Sequence, residues 1–298
     1  MRSLRIYLSV SLILPGFTIS ISAYSQPAAE IIIDDKKQAL VYLDSIGIIE
    51  KSSHWPKVNP QLFIHNLRKN IEQPVHLYPG RGTNFCAFSA LTYSCLNQEP
   101  LRYTQFMIDL YKNGSSSYRS VQISPSQEVK SAAGLLIFKG ELDINHADQL
   151  WFLALADHFK GYINLLNRKY DAGDENTLWA ATNLAKFNRM LKKLLGYTLQ
   201  SKGSDLIRPG ISDIPAYLRE KMVGNEVFLY LNNTILYRKK HKVKGRIPTH
   251  YVVLKDVKEE NNIITLTYWD YGLTTLQELS PQVVRKILFG ITWRKKEN

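Results

Sequence analysis

The stretch HYVVLKDVKEENNIITLTYWDYG, residues 250–272, holds two β-branched, aromatic-rich runs separated by polar residues. That composition suits two strands. Glu259-Glu260-Asn261-Asn262 supplies a turn between them. The stretch therefore predicts an antiparallel hairpin folded about residues 260–262. Folding there sets His250, at the start of the first strand, opposite residues 270–274. Asp270, near the end of the second strand, falls level with His250 or one diagonal step away, within side-chain reach. Upstream, Val227-Phe228-Leu229-Tyr230-Leu231 reads as another strand. Downstream, Ser280-Pro281 opens a short helix and Phe289 to Trp293 reads as a last strand. The final third of the chain is an antiparallel sheet on this reading.

The first two thirds read as helices. After a loose terminus over 26–35, Lys37 to Ile46 forms a short helix stopped by Gly47. Residues 53–83 carry four prolines and read as loop, with one short helix near 61–69. Phe85 to Leu96 is apolar on most faces, the pattern of a buried helix. Tyr103 to Lys112 is a helix ended by Asn113-Gly114. Ser124 is expected to cap a helix running toward Leu136, with Pro125 at its first position and Gln127 completing a capping box. Apolar residues recur at helical spacing through 146–169 and 175–195. Asp213 with Ile214-Pro215 starts another short helix. Helices followed by an antiparallel sheet define an α+β class.

Composition narrows the rest. The chain has 298 residues, 45% of them hydrophobic and 21% charged, which is globular rather than disordered. Two cysteines are too few for a disulfide-rich scaffold or a four-thiolate zinc site, and no metal and no cofactor is assigned. Residues 1–25, MRSLRIYLSVSLILPGFTISISAYS, combine a basic start, a short apolar run and small residues at Ala23 and Ser25. This is the pattern of a secretory signal peptide. The apolar run is shorter than the ~20 residues of a spanning helix. The expected destination is secreted or periplasmic, with no stable membrane span after cleavage. Lys+Arg 38 against Asp+Glu 26 gives +12, and six basic residues crowd 238–246. They read as a solvated loop, or as a surface for an anionic envelope polymer. No nucleic-acid motif accompanies them. Asn113-Gly114-Ser115 and Asn232-Asn233-Thr234 match the glycosylation triplet.

The chemistry centres on Cys86, which follows Gly80-Arg81-Gly82-Thr83-Asn84-Phe85. Asn84 is a good N-cap. With Asn84 as cap, Cys86 sits in the first turn of an apolar helix, where free N–H groups and the positive dipole end favour a thiolate. The same N–H groups can hold an oxyanion. Cys95, nine residues on, falls on the opposite face and about 13 Å away along the axis, too far for a disulfide. A cysteine nucleophile needs a base. Of seven histidines, His250 alone opens a strand beside a loop, and Asp270 is placed to orient it.

These residues resemble the papain-like cysteine peptidase superfamily. The resemblance rests on GRGTNFCAFSAL around Cys86 and on THYVVLKDV and ITLTYWDYG around His250 and Asp270, in the family's order Cys, His, Asp or Asn. It covers about a fifth of the chain. It implies a nucleophile helix packed against a C-terminal antiparallel sheet; the helical segment at about 125–222 has no counterpart in the resemblance and reads as an insertion. It also implies thiolate attack on an amide carbonyl, a thioester, and hydrolysis, with a peptide or peptidoglycan-type substrate. On this reading 1–25 is the signal peptide, 26–78 a loop-rich segment and 79–298 the catalytic domain. The family's oxyanion Gln, about six residues before the cysteine, is missing, because position 80 is Gly. Gln73 and Asn84 are the replacement candidates. A catalytically inactive papain-like binding module, a transglutaminase-like acyltransferase and a helical envelope protein with a coincidental triad are the alternatives.

Overall fold

A computed structural model describes residues 28–80, 82–136, 145–160, 169–236 and 247–294, with two short strands earlier, β1 (Ile13–Leu14) and β2 (Phe17–Thr18). The rest of the expected signal peptide and the whole basic run 238–246 lie outside the described residues.

Helices lead. In order they are α1 (Ala28–Ile46), α2 (Pro60–Glu72), α3 (Cys86–Gln98) and α4 (Pro100–Asn113). A small hairpin of β3 (Ser116–Tyr118) and β4 (Val121–Ile123) follows. Then come α5 (Gln127–Ala132), α6 (His146–His158), α7 (Leu184–Leu195), β5 (Leu199–Gly203) and α8 (Ile214–Met222). The last part holds β6 (Val227–Leu231), α9 (Asn233–Leu236), β7 (His250–Glu260), β8 (Ile263–Asp270), β9 (Leu273–Leu279), α10 (Pro281–Ile287) and β10 (Leu288–Arg294). Mixed helix and antiparallel sheet make the chain α+β, as its sequence suggests.

The main sheet has six antiparallel strands in the order β5-β10-β6-β7-β8-β9. Both its faces are covered, and period-two alternation sorts its side chains. Phe228, Tyr230, Tyr251, Val253 and Trp269 join the large core built by α1 to α7. Val227, Leu229, Val252, Leu254, Leu266 and Tyr268 join a second core closed by α8 and α10. Helix α3 is buried on every side from Ala87 to Leu96, which is why its sequence shows no polar stripe. It packs on β7, the strand that His250 opens.

Several boundaries depart from the sequence reading. The segment 26–78 is not loop-rich: it holds α1 and α2, whose Ala39, Leu43, Phe63 and Leu67 are part of the large core. Asn59 caps α2 by accepting from Leu62 N–H, with Pro60 in the first turn, so the proline starts a helix that composition read as loop. Ser126, not Ser124, is the N-cap of α5, which ends at Ala132. Helix α7 starts at Leu184 rather than 175, because Asn183 caps it and Leu178 is left exposed. Helix α6 ends at His158, and 161–168 lie outside the described residues. The region 125–222 is not purely helical either, since β5 joins the edge of the main sheet.

The β7–β8 hairpin turns at Asn261-Asn262, both with positive φ (50° and 61°), the conformation of a two-residue primed turn. Its register then breaks. Asp256 pairs with Thr267 and Leu254 pairs with Tyr268, so Lys255 is an extra residue, a β-bulge. Its Nζ lies 4.3 Å from the centroid of the Tyr93 ring on α3. Tyr93 stacks on Trp269 at 4.5 Å, and the Trp269 indole donates to Val75 O at 2.8 Å.

Asp148 on α6 is fully buried and accepts from Asn70 of α2 at 2.6 Å and from Asn145 at 3.2 Å. Burial pushes its carboxyl up to about 7, against the pull of the two amides and Lys69. The folded state therefore holds this proton more tightly than the unfolded chain, whose carboxyl titrates near ~4. The stabilisation is complete at acidic pH and is lost as pH rises through about 7. Urea unfolding should show stability falling from about pH 4 to about pH 7 and levelling off above, and Asp148→Asn should flatten that slope. Parallel slopes in the two proteins would show that Asp148 does not set it.

Candidate active site

Cys86 is the first residue of α3. Phe85, with φ −84° and ψ 6°, occupies the N-cap, and no side chain caps the helix. Asn84 is thus not the cap that the sequence suggested. Its main-chain N–H donates to Glu175 O at 2.8 Å and its side-chain amide to Thr177 O at 2.7 Å. These bonds stitch the approach to Cys86 onto the segment before α7. They turn one hydrogen of the Asn84 amide toward that segment. Gln73 is the C-cap of α2, exposed, with its main-chain N–H on Lys69 O. The uncapped first N–H groups of α3 remain as donors beside the thiol.

The structure brings Cys86, His250 and Asp270 together. His250 opens β7 and is 1% exposed; Asp270 ends β8 and is 3% exposed. His250 Nε2 donates to Asp270 Oδ1 at 2.5 Å. The Cys86 thiol is half-buried and donates to the carbonyl of Thr249, the residue before His250, at 3.9 Å. Nδ1 of His250 is buried and takes no hydrogen bond from any other described group. It is the nitrogen available to Cys86.

The Lys255 bulge makes the His–Asp pair geometrically possible. Beyond it, Val253 pairs with Trp269, which sets Val252 beside Asp270 and puts Asp270 on the His250 side of the ladder, one diagonal step away. A ladder continued from the turn without the bulge would set Asp270 opposite Val253, on the other face.

Burial lowers the basicity of the His250 ring. The Asp270 charge and hydrogen bond, followed by Cys86, outweigh it and raise the ring to about 10. The ring is therefore held as an imidazolium between two acids. Cys95 differs: it is fully buried, and burial pushes its thiol up to about 12. Both cysteines are free. His146 and His158 serve the fold, where burial lowers both rings. His146 Nδ1 accepts from Asn59 N–H, and His158 packs edge-on against Phe159.

Sequence reasoning missed the frame around the pair. Tyr271, at φ 46°, forms the β8–β9 turn with Gly272 at φ 80°. Its ring stacks on His250 at 4.5 Å and 21°. A Cβ on Gly272 would sit 3.2 Å from Leu77 O, so the turn lies hard against the segment leading to Cys86. The turn-forming YG pair after Asp270 was a legible signal. Nothing in the local sequence pointed to Asn233, whose contacts are distant along the chain. Asn232, the acceptor of one glycosylation triplet, is 2% exposed with its amide on Ile247 O at 2.7 Å, so it is closed to modification in the fold.

No family model matches the chain, and no curated protein matches it either.

Two outcomes follow from this geometry. Iodoacetamide should modify Cys86 in the native protein and leave Cys95 untouched until unfolding. Equal labelling of the two peptides by mass spectrometry would contradict the assignment. Asp270→Asn removes the largest influence that raises His250 and leaves burial to prevail. The ring's titration, followed by NMR, should then move to lower pH, and an unmoved midpoint would exclude the pairing.

Proposed function

We propose that the protein is an exported cysteine hydrolase of the papain-like type, cleaving an amide bond in a protein or peptidoglycan peptide. The observation that carries this reading is the buried His250–Asp270 pair with the Cys86 thiol at the remaining ring nitrogen. Cys86, its proton passed to His250 Nδ1, attacks the carbonyl carbon as the thiolate, and the oxyanion forms at the uncapped start of α3. The carbon–nitrogen bond then breaks. The leaving amine takes the proton from His250 Nδ1, which leaves a thioester on Cys86. The neutral ring next draws a proton from water, and the hydroxide carbon–oxygen bond replaces the carbon–sulfur bond. Asp270 keeps the ring oriented through both halves.

The order Cys, His, Asp and the packing of α3 on β7 support the papain-like part of the reading. The signal-like start supports export. Among the described residues no helix is long and apolar enough to cross a membrane.

Hydrolysis should be assayed on a panel of fluorogenic peptides and peptidoglycan stem peptides. Cys86→Ala should abolish turnover of whichever substrate is cleaved and leave the melting transition nearly unchanged. His250→Ala should slow acylation by a factor on the order of 10²–10⁴. Asp270→Ala should be milder than His250→Ala, and Asp270→Asn milder still, because an amide oxygen can also accept from Nε2–H. Full activity in Asp270→Ala would remove Asp270 from the machinery. Turnover that survives Cys86→Ala would overturn the proposal.

A further inference from the structure

The segment that precedes His250 is gripped from one place, the two asparagines after β6. Asn232 donates its amide to Ile247 O at 2.7 Å, and its N–H reaches Ile287 O at 2.8 Å. Asn233, 9% exposed, holds Thr249 twice. Its main-chain N–H donates to Thr249 Oγ1 at 3.0 Å, and its Oδ1 accepts from the same hydroxyl at 2.6 Å. Thr249 N–H in turn donates to Leu231 O at 2.8 Å. The Asn233 side chain also hydrogen-bonds the phenol of Tyr271, whose ring covers His250. One buried amide therefore touches both neighbours of the imidazole: the residue before it in the chain, whose carbonyl takes the Cys86 thiol, and the ring stacked on it.

We propose that Asn233 is the positioning residue of this site: it locks Thr249 and Tyr271 together so that the His250 ring stays between Asp270 and Cys86. The proposal rests on the reading of Cys86, His250 and Asp270 as one functional unit. The physical reason is rotameric. Nε2 is held closely by Asp270, whereas the Cys86 thiol is a weaker partner on the other side, so with these two alone the ring would pivot about Asp270. Stacking on a phenol that is itself fixed removes that freedom. A pinned Thr249 keeps the ring's Cα from drifting along the strand.

The test uses the whole protein and needs no identified substrate. The titration of His250 is followed by NMR, and the alkylation of Cys86 by iodoacetamide is timed at about pH 6. Asn233→Ala should lower the His250 midpoint by about one unit and slow alkylation about tenfold, one unit being a tenfold change in equilibrium. Thr249→Val and Tyr271→Phe each cut one arm, so each should show part of that shift. Tyr271→Phe added to Asn233→Ala should give nothing further, whereas Thr249→Val also removes the main-chain bond from Asn233 N–H, so the Thr249→Val/Asn233→Ala pair should fall short of the sum of its members. The two single variants carry the test if Asn233→Ala fails to fold. A lowered melting temperature with both readouts as in wild type would reduce Asn233 to a structural residue and overturn the proposal. Full additivity of the three substitutions would overturn it as well. An ordinary wild-type His250 titration would sink the Cys–His–Asp unit itself and the proposal with it. A shifted titration without any hydrolysis would sink only the enzymatic reading and leave the role of Asn233 standing.

Discussion

The pairing of β7 with β8 is the constraint on which the site depends, and it turns on Lys255. A hairpin closed at Asn261-Asn262 and run without interruption would place Asp270 and His250 on opposite faces of the sheet. The extra residue at 255 shifts the ladder by one and restores a common face. It also keeps the core intact, since Val257 on one side of the bulge and Leu254 and Val252 on the other all reach the second hydrophobic core. The bulge is held from outside the sheet, by Lys255 over Tyr93 and Tyr93 on Trp269, the residue just before Asp270.

Two buried acids show how the fold manages charge. Asp270 is buried next to a histidine that stays charged beside it, so its desolvation is offset by a short charge-assisted bond. Asp148 accepts from two neutral amides rather than a charged group, and burial there favours the neutral carboxyl. The first arrangement stores charge where chemistry could use it. The second fastens α2 to α6 without it. Helix α3 sits between these regions and can carry an uncapped N-terminus because its remaining length is packed on all sides.

Much of this was legible in sequence because the elements are strongly periodic. The strands at 227–231, 250–260 and 263–270 and the helices at 86–98, 100–113 and 214–222 follow from apolar pattern and turn residues. The Cys, His and Asp of the site were legible for the same reason, each lying at an element's end. What escaped notice was set by distant contacts. Asn84 has the chemistry of a cap, but the segment before α7 takes its amide. Pro60 looked like a breaker and is a helix start. The bulge left a trace that could have been read: buried-face residues run Val252, Leu254 and then Val257, a step of three where a regular strand steps by two.

The hydrogen on His250 Nε2 reports on the register, the burial and the charge of the pair at once. In a proton NMR spectrum at neutral pH, the account predicts a far-downfield, exchange-protected resonance from this site, absent in Asp270→Ala and present in Cys86→Ala. A spectrum without that resonance, or one that retains it in Asp270→Ala, would contradict the pairing from which the whole account is built.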